Sequence, residues 1–461
     1  MDTSDAAPAT SRAASGERGP ADGAQGPADG AQGPAAATPV PLVAPGAPLS
    51  PEQSERARRQ LALPGFDETA QRRLAAARVL VIGAGGLGTA SVPYLVGAGV
   101  GTIGIVDDDV VDLVNLHRQV AHRTADVGRA KTSSLADAAR ALDPAVRVHE
   151  HRLRLTAANA LDVLSGYDLV LDGSDNYPTR YLVNDAAQLA GIPLVWGAIL
   201  QHHGQVSVAW HEQGPGYRDL FPAPPAPEDV VSCTTGGVLP GLCGTVGSLM
   251  ATEALKLICG IGRPLIGRVL VYDALAARTR EIPFARDPQA QPVTSLVDYE
   301  LFCAGPDAPP SIGADELAAL LRAARGASAE AGAGADARSE ADARAGADAR
   351  AEADGRAPWI LDVRDPKEAA RLRIPGAHLL PLAELEARAE DAAGTDLLAG
   401  AAPAPGERGP LVVHCERDPR SVRAARLLAA HGGDDVRYLR GGIQELDRVA
   451  PDLLTEGEQA R

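Results

Sequence analysis

The stretch RVLVIGAGGLG (residues 78–88) passes from an apolar run, Val79 to Ile82, into a glycine cluster, Gly83, Gly85, Gly86 and Gly88. A segment of helical pattern follows to about Val96. That order is strand, tight turn, helix. The glycines let the backbone approach a phosphate, and the opening turn of a helix offers unpaired N–H groups and partial positive charge to hold it. Asp107 stands nineteen residues beyond Gly88, at the end of the next apolar run (102–106), where a dinucleotide fold sets an acid against the ribose. Taken alone, these residues read as a nicotinamide or flavin oxidoreductase.

Outward from this stretch, strands and helices alternate. Residues 129–142 form an amphipathic helical pattern stopped by Asp-Pro, and 146–149, 169–171 and 194–195 are short strand patterns. Residues 204–210 and 268–273 read as later, partly antiparallel strands, with a helix over 247–257 between them. Such alternation predicts an α/β fold: a doubly wound, mostly parallel Rossmann-like sheet with antiparallel additions. Ahead of the first strand, the segment from Pro51 to Ala77 is helical in pattern.

The chain has 461 residues, enough for two or three domains, and carries a net charge of -16. That charge argues against general binding to nucleic acid or anionic membranes. Five cysteines (Cys233, Cys243, Cys259, Cys303, Cys415) lie far apart and form no CxxC, so neither a disulfide framework nor a four-thiolate zinc site is expected. The opening MDTSDAAPAT lacks the basic and apolar regions of a secretory signal, and a cytoplasmic location is expected. Residues 79–106 and 234–252 are free of charge and could pass for membrane spans. Eight glycines and Pro93 divide the first, while Gly236, Gly237, Pro240 and Gly241 divide the second. Both read as buried parts of an α/β core.

The domain plan has four parts. Residues 1–50 are an Ala/Gly/Pro tail with GPADGAQ repeated at 19–25 and 26–32, too poor in apolar surface to offset its ordering entropy. Residues 51–285 form the nucleotide-binding domain, and 286–310 read as a linker. Residues 311–455 form a smaller α/β domain with a helix over 312–324 and a strand in ILDVR (360–364). An insert at 326–357, built on ADARSE, ADARAG and ADARAE hexads without a large apolar residue, predicts a flexible excursion.

Further motifs change the first reading. DDDVVDLVNLHRQ (107–119) supplies D(x)10RQ; GRAKTSS (128–134) supplies Lys131; LDGSDNYPTRYLVND (171–185) supplies a Ser-Asp-Asn triplet. Together with the glycine loop and VYDAL (271–275), they resemble the ThiF/MoeB/HesA adenylyltransferases, relatives of ubiquitin-activating enzymes. The resemblance implies that the C-terminal Gly-Gly carboxylate of a ubiquitin-like sulfur-carrier protein attacks the α-phosphate of ATP. Two anions must meet, so cations are needed where charge develops. By resemblance Asp107 holds the ribose hydroxyls, and Asn115, Leu116, His117, Arg118 and Lys131 line the nucleotide and its phosphates. Asp175 is implied to coordinate Mg²⁺, a hard ion suited to carboxylate oxygens, with Asn176 beside it. Without the resemblance, Asp175 reads as a turn or N-cap residue ahead of the helix near Tyr177.

Arg59 matches the family arginine that reaches into the partner subunit's site, which implies a homodimer, although Ala57 replaces the usual tyrosine in RARRQ. Cys233, in VVSCTTGGVLPG, stands where relatives carry a cysteine that accepts the activated carrier; its other reading is a small buried hydrophobe, like Cys243 and Cys259. Many relatives bind zinc through two CxxC pairs. Here Gly216 and Asp219 occupy the first pair's place and DPQAQPVTSL (287–296) lacks the second, so no zinc site is expected and packing alone is expected to hold this lobe.

The last domain resembles a rhodanese sulfurtransferase through ILDVRDPKE (360–368), RIPGAHLLPL (373–382), VVHCERDPRS (412–421) and YLRGGI (438–443). Cys415 falls between a strand and a helix, where loop N–H groups can surround an anion and favour a thiolate or persulfide. Arg420 matches the arginine that closes such loops. Typical loops carry glycine here, whereas this one has Glu416, Asp418 and Pro419, acids that oppose a persulfide unless Arg417 and Arg420 offset them. Leu446 replaces a usual aromatic.

The fusion implies an enzyme that adenylates a sulfur carrier with ATP and Mg²⁺. It then transfers sulfur from a Cys415 persulfide, loaded by thiosulfate or a cysteine desulfurase, to form a thiocarboxylate. Three alternatives stand beside it: an adenylyltransferase with an impaired rhodanese domain, a non-catalytic carrier-binding adaptor, and an NAD-dependent oxidoreductase.

Overall fold

Aliphatic runs without interleaved charge build the middle of the first sheet, while its two edge strands, RVHEH (147–151) and RTREIP (278–283), carry charges. Its strands are β1 (Arg78–Ile82), β2 (Thr102–Val106), β3 (Arg147–His151), β4 (Leu169–Asp172), β5 (Leu194–Leu200), β6 (His203–Ala209), β7 (Arg268–Asp273) and β8 (Arg278–Pro283). The spatial order is β3-β2-β1-β4-β5-β6-β7-β8; the first five strands are parallel and the last three join antiparallel. The chain reverses direction of winding between β1 and β4, so a crevice opens at their carboxyl ends. The computed structural model describes residues 40–225, 236–304, 309–333, 357–391, 397–398, 409–417, 419–433 and 435–456. Cys233, Asp418, the tail up to residue 39 and the hexads of the insert lie outside them.

Successive strand residues face opposite cores, as the period of two requires. Val79, Val81, Ile103, Ile105, Leu169 and Leu171 join one core; Leu80, Ile82, Val106 and Val170 join the other. The helices of this part are α1 (Pro51–Ala57), α2 (Glu68–Ala76), α3 (Gly86–Gly97), α4 (Lys131–Leu142), α5 (Ala160–Leu164), α6 (Tyr177–Ala190), α7 (Tyr217–Leu220) and α8 (Pro240–Cys259). Helices α2, α3, α4 and α8 cover the first face, α5 and α6 the second. With both faces covered, the strands can be continuously apolar.

Two helical patterns differ from expectation. The single segment ahead of β1 is two helices, because Pro64 and Gly65 interrupt it and Ser50 and Asp67 cap separate N-termini. Helix α8 begins seven residues before the expected Gly247, with Pro240 in its first turn and Gly260 in the left-handed region closing it. This helix is long and apolar enough to cross a membrane, yet Leu242, Val246, Met250, Ala254 and Ile258 are buried in the core. It lies tightly on α3: a Cβ on Gly247 would sit 2.6 Å from the Ala90 Cβ.

The expectation that packing alone holds the lobe beside α7 is overturned. Asp185 on α6 takes both arms of Arg218 at 2.8 and 2.7 Å and the Tyr299 hydroxyl at 2.6 Å. Asn184 accepts from the Tyr217 amide at 3.0 Å. Asp219 accepts from the Gly216 amide at 2.7 Å and from the Asp287 amide at 2.8 Å. The two segments that carry cysteine pairs in zinc-binding relatives are therefore joined here by one aspartate. His211 fills the space a side chain at Gly216 would need. Tyr299 begins helix α9 (Tyr299–Ala304), so this part of the stretch read as a linker docks on α6, with Phe302 stacked edge-on against Tyr181.

The second sheet is parallel throughout, in the order β11-β10-β12-β13-β9. Its strands are β9 (Ser311–Ile312), β10 (Trp359–Asp362), β11 (His378–Leu379), β12 (Leu411–His414) and β13 (Val436–Leu439). Helices α10 (Ala314–Ala333) and α14 (Gly442–Val449) cover one face; α12 (Leu382–Asp391) and α13 (Pro419–Ala430) cover the other, and the short α11 (Pro366–Ala369) follows β10. Leu446 is fully buried beside Ile360, Val412 and Leu439, so it serves the core in place of an aromatic.

Candidate functional site

The first site lies at the carboxyl ends of β1, β2 and β4. Gly83 follows β1 with φ +90, and a side chain on Gly88 would collide with the Gly83 carbonyl. Only glycine permits this approach of loop to helix. Gly85 caps α3 without a side-chain hydrogen bond, and the first amides of the helix remain available to an anion. Gly83 also abuts the loop after β4: its Cβ position is 3.3 Å from the Gly173 carbonyl. The glycine cluster and the Ser-Asp-Asn turn thus meet at the switch point.

Asp107, at the end of β2, accepts from the Ala84 amide at 2.7 Å and from the Asp109 amide at 2.8 Å. Burial pushes its carboxyl up to about 6, against the pull of Lys131 and with the help of Asp109. Lys131 opens α4, is buried, and donates to Asp109 at 2.8 Å. Burial opposes the Asp109 charge, but Lys131 and then Arg417 outweigh it and hold this carboxyl below its usual range.

Asn115 ends a short 3-10 helix (113–115), and Leu116, His117 and Arg118 form the turn after it, which brings Arg118 over the start of α3. The Arg118 carbonyl is 3.7 Å from the Cβ position of Gly86, and Arg118 donates to His117 Nε2 at 2.8 Å. The N-cap of α6 is Asn176, which accepts from the Thr179 amide at 2.9 Å, so the capping reading of Asp175 is set aside. Asp175 is exposed at the mouth of the crevice.

Three further residues shape this site: His122 and Arg180 were not singled out in the sequence, whereas Gln119 belongs to the quoted motif D(x)10RQ. His122 is buried, with Nε2 donating to the Ala84 carbonyl at 2.9 Å and Nδ1 accepting from Ser134 Oγ at 2.8 Å. Burial lowers its pKa, which keeps it neutral in that tautomer. Gln119 is buried against Gly85. Arg180 donates to the Ser174 carbonyl at 3.1 Å and fixes the turn that presents Asp175. A buried histidine three residues after RQ was the available signal for the first.

Arg59 is not brought to this site. It is exposed beside Gln60, which donates to the Ala98 carbonyl at the far end of α3, a helix of about 18 Å.

The second site is the loop after β12. Cys415 is buried, 3.5 Å from Ser421 Oγ. The opening of α14 shapes this loop: Ile443 N–H donates to the Cys415 carbonyl at 2.9 Å and Gln444 N–H to the Glu416 carbonyl at 3.3 Å. Gly442, at φ +61, presses so closely on Glu416 and Arg417 that any side chain would strike their backbone. The GGI motif is a mould for the cysteine loop.

The charge reading of this loop needs correction at Glu416 and Arg417, whereas Arg420 does face Cys415, whose charge helps to raise its pKa. Glu416 is tied to Arg364 at 3.1 Å and to Gln444 at 3.1 Å, so its charge is already matched. Arg364 is itself buried and paired with Asp362 at 2.7 Å. Arg420 takes Glu368 in a two-armed pair at 2.7 Å on each arm, and that hydrogen bonding holds Arg420 above and Glu368 below their ordinary ranges. Arg417 does not turn back to offset its own loop; its guanidinium points to Asp109.

The model of the ThiF family matches residues 57–293, and that of the Rhodanese-like domain matches residues 345–448. The second sheet starts ahead of the latter match, at Ser311. The chain is 45% identical over 411 residues to the probable adenylyltransferase/sulfurtransferase MoeZ of Mycobacterium tuberculosis, covering 88% of this chain and 96% of that one. It is 52% identical over 264 residues to the sulfur carrier protein adenylyltransferase of Thermus thermophilus, covering 55% and 97%. It is 36% identical over 407 residues to the adenylyltransferase and sulfurtransferase MOCS3-2 of Zea mays, covering 86% and 79%.

Proposed function

Because the chain belongs to the ThiF family and joins an ATP-using adenylyltransferase to a sulfurtransferase, we propose that its substrate is the Gly-Gly C-terminus of a ubiquitin-like sulfur carrier. The observation that carries this reading is the meeting of a glycine cradle, the Lys131–Asp109 pair and exposed Asp175 around one crevice.

A carboxylate oxygen of the carrier attacks the α-phosphorus of ATP. A P–O bond forms, the bond to the β-phosphate breaks, and pyrophosphate leaves. Amides of α3 and the cations Lys131 and Arg118 meet the growing charge, and Asp107 holds the ribose. Asp175 would hold Mg²⁺, which would neutralise phosphate charge; an exposed carboxylate fits that hard ion. Lys131→Ala should slow carrier-dependent ATP–pyrophosphate exchange by about 10²–10³-fold.

Cys415 thiolate takes the outer sulfur of thiosulfate, releasing sulfite, or takes sulfur from a cysteine desulfurase persulfide. The terminal persulfide sulfur then attacks the acyl carbon of the adenylate. A C–S bond forms, the acyl C–O bond breaks and AMP leaves with the electron pair. A thiol attacks Sγ of Cys415, the S–S pair departs on the thiocarboxylate, and a second thiol frees Cys415 from the mixed disulfide. Cys233 is the chain's own candidate for such a thiol. Arg59, remote from its own crevice, suits a homodimer in which it serves the partner's site, and a reducing cytoplasm suits the thiol chemistry.

The test is the intact mass of a Gly-Gly-ended carrier incubated with the chain, MgATP and thiosulfate. Conversion to thiocarboxylate, lost in Cys415→Ala and Lys131→Ala, is the expected result. Adenylate without thiocarboxylate under either sulfur donor would leave an activating enzyme alone. Carrier binding without ATP turnover would overturn the catalytic reading.

A further inference from the structure

Seven polar side chains form a continuous line between the two sites. Asp362 pairs with Arg364 at 2.7 Å, Arg364 with Glu416 at 3.1 Å, and Gln444 bridges Glu416 at 3.1 Å and Arg417 at 2.8 Å. Arg417 Nη2 then lies 3.4 Å from Asp109 Oδ1, and Asp109 holds Lys131 at 2.8 Å. Cys415 and Arg417, two positions apart, thus belong to the sulfur loop and to the nucleotide crevice respectively.

Arg417 has the surroundings of a docking cation. Burial opposes its charge, but Asp109, Asp175, Asp108 and Asp107 face it and raise its pKa above the usual arginine value. Those acids rim the nucleotide crevice. The seam around it is also charged: Arg371 stands 3.8 Å from Asp112, and Arg440 donates to Asp298 at 3.2 Å. Arg154 lies between Glu300 of α9 at 2.6 Å and Glu445 of α14 at 3.9 Å. Pairs this exposed add little stability, so their consequence is register.

We infer that Arg417 is a positioning residue that registers the Cys415 loop on the nucleotide crevice of its own chain, so that sulfur passes in cis. This rests on the sulfur-carrier reading above. The acyl-adenylate forms beside Lys131, and the loop that must attack it is held to the same Asp109. The ion pair is half-exposed, at 39% and 38%, so it can open to admit the carrier's tail and close again. Holding two reactants in register in this way turns an encounter between sites into an intramolecular step.

The experiment uses full-length chains. Lys131→Ala and Cys415→Ala chains, each with a different affinity tag, are co-expressed and purified through both tags. Transfer in cis predicts that these mixed assemblies make no thiocarboxylate above either variant alone. Product rising above both variants, toward half that of the unaltered chain, would overturn the inference while leaving the sulfur-carrier reading intact. An unaltered chain that makes no thiocarboxylate would take down both.

Arg417→Ala and Arg417→Lys test the residue itself. The readout is the ratio of thiocarboxylate formation to thiosulfate:cyanide turnover in one preparation, which a general defect of the rhodanese domain does not move. The ratio should fall about fivefold or more in Arg417→Ala and recover in Arg417→Lys. Rising salt should lower the ratio more steeply for the unaltered chain than for Arg417→Ala, which keeps only the other ion pairs of the seam. A ratio equal to the unaltered chain's at every salt concentration would overturn the role of Arg417.

Discussion

Arg364, only 1% exposed, donates to Glu416 at 3.1 Å and so ties the residue after Cys415 to the floor of its own domain. The same guanidinium is paired with buried Asp362, so two acids depend on one cation. Arg364→Met should destabilise the domain by roughly 3–5 kcal/mol, because it leaves Asp362 buried and unmatched. Thermal unfolding of the full chain measures that. Thiosulfate:cyanide turnover below the melting range should also fall, since freed Glu416 then opposes the persulfide. Adding Glu416→Gln should return turnover without returning stability, and the difference separates the two effects.

Gly442→Ala should abolish sulfur transfer while sparing ATP–pyrophosphate exchange. The new methyl meets the backbone of Glu416 and Arg417, at a residue whose φ of +61 already disfavours a side chain. Two adjacent backbones cannot yield as a flexible side chain would. Turnover with thiosulfate and cyanide, compared with exchange in the same preparation, is the measurement.

The carboxyl of Asp107 sits at about 6 against an ordinary 3.8. The folded chain therefore binds this proton more tightly than the unfolded chain. Its contribution to stability is fully present below pH 3.8 and is lost as pH rises through about 6. Asp107→Asn should thus be less penalised at pH 7.5 than at pH 4.5, and its stability relative to the unaltered chain should rise over that window. Nucleotide affinity should move oppositely. For the unaltered chain it strengthens as Asp107 ionises, and for Asp107→Asn it is weak and flat with pH. Melting and ATP titration across pH 4.5–7.5 check both slopes.

Asp185 binds Arg218 with both oxygens and Tyr299 as well, while 1% exposed. Asp185→Ala should cost about 3–5 kcal/mol, since Arg218 is left partly buried without its acid. Hydrogen exchange should report the loss first in α9, whose Tyr299 loses its acceptor. Incubation with EDTA, without nucleotide, should leave the melting temperature unchanged. A fall on chelation would show that a metal, and not this network, holds the lobe.

What could be read from the sequence was local. The glycines at 83–88, the apolar runs of β1, β2 and β4 and the order of motifs placed the first sheet and its crevice, because each signal spans a few neighbouring residues. Cys415 and its mould, YLRGGI, were likewise visible as motifs. The direction of Arg417 was not, because its partner Asp109 is 308 positions away and nothing in CERDPRS encodes it. The clamp of Asp185, Arg218 and Tyr299 was hidden for the same reason: three unremarkable polar residues become one network only when α6, α7 and α9 meet. Helix α9 escaped because six residues are too few to show a helical period.

The pressure of Gly442 on the cysteine loop has a consequence for how that loop can vary. Loops of this kind usually hold their shape through glycines within them. Here two amides of α14 and the bare Cα of Gly442 impose the shape from outside. Residues 416 and 417 are thereby released from conformational duty and can take side chains suited to other work, such as a charge offered to a neighbouring domain. The backbone shape of the loop thus rests on a glycine 27 positions beyond Cys415 and not on glycines at 416 and 417.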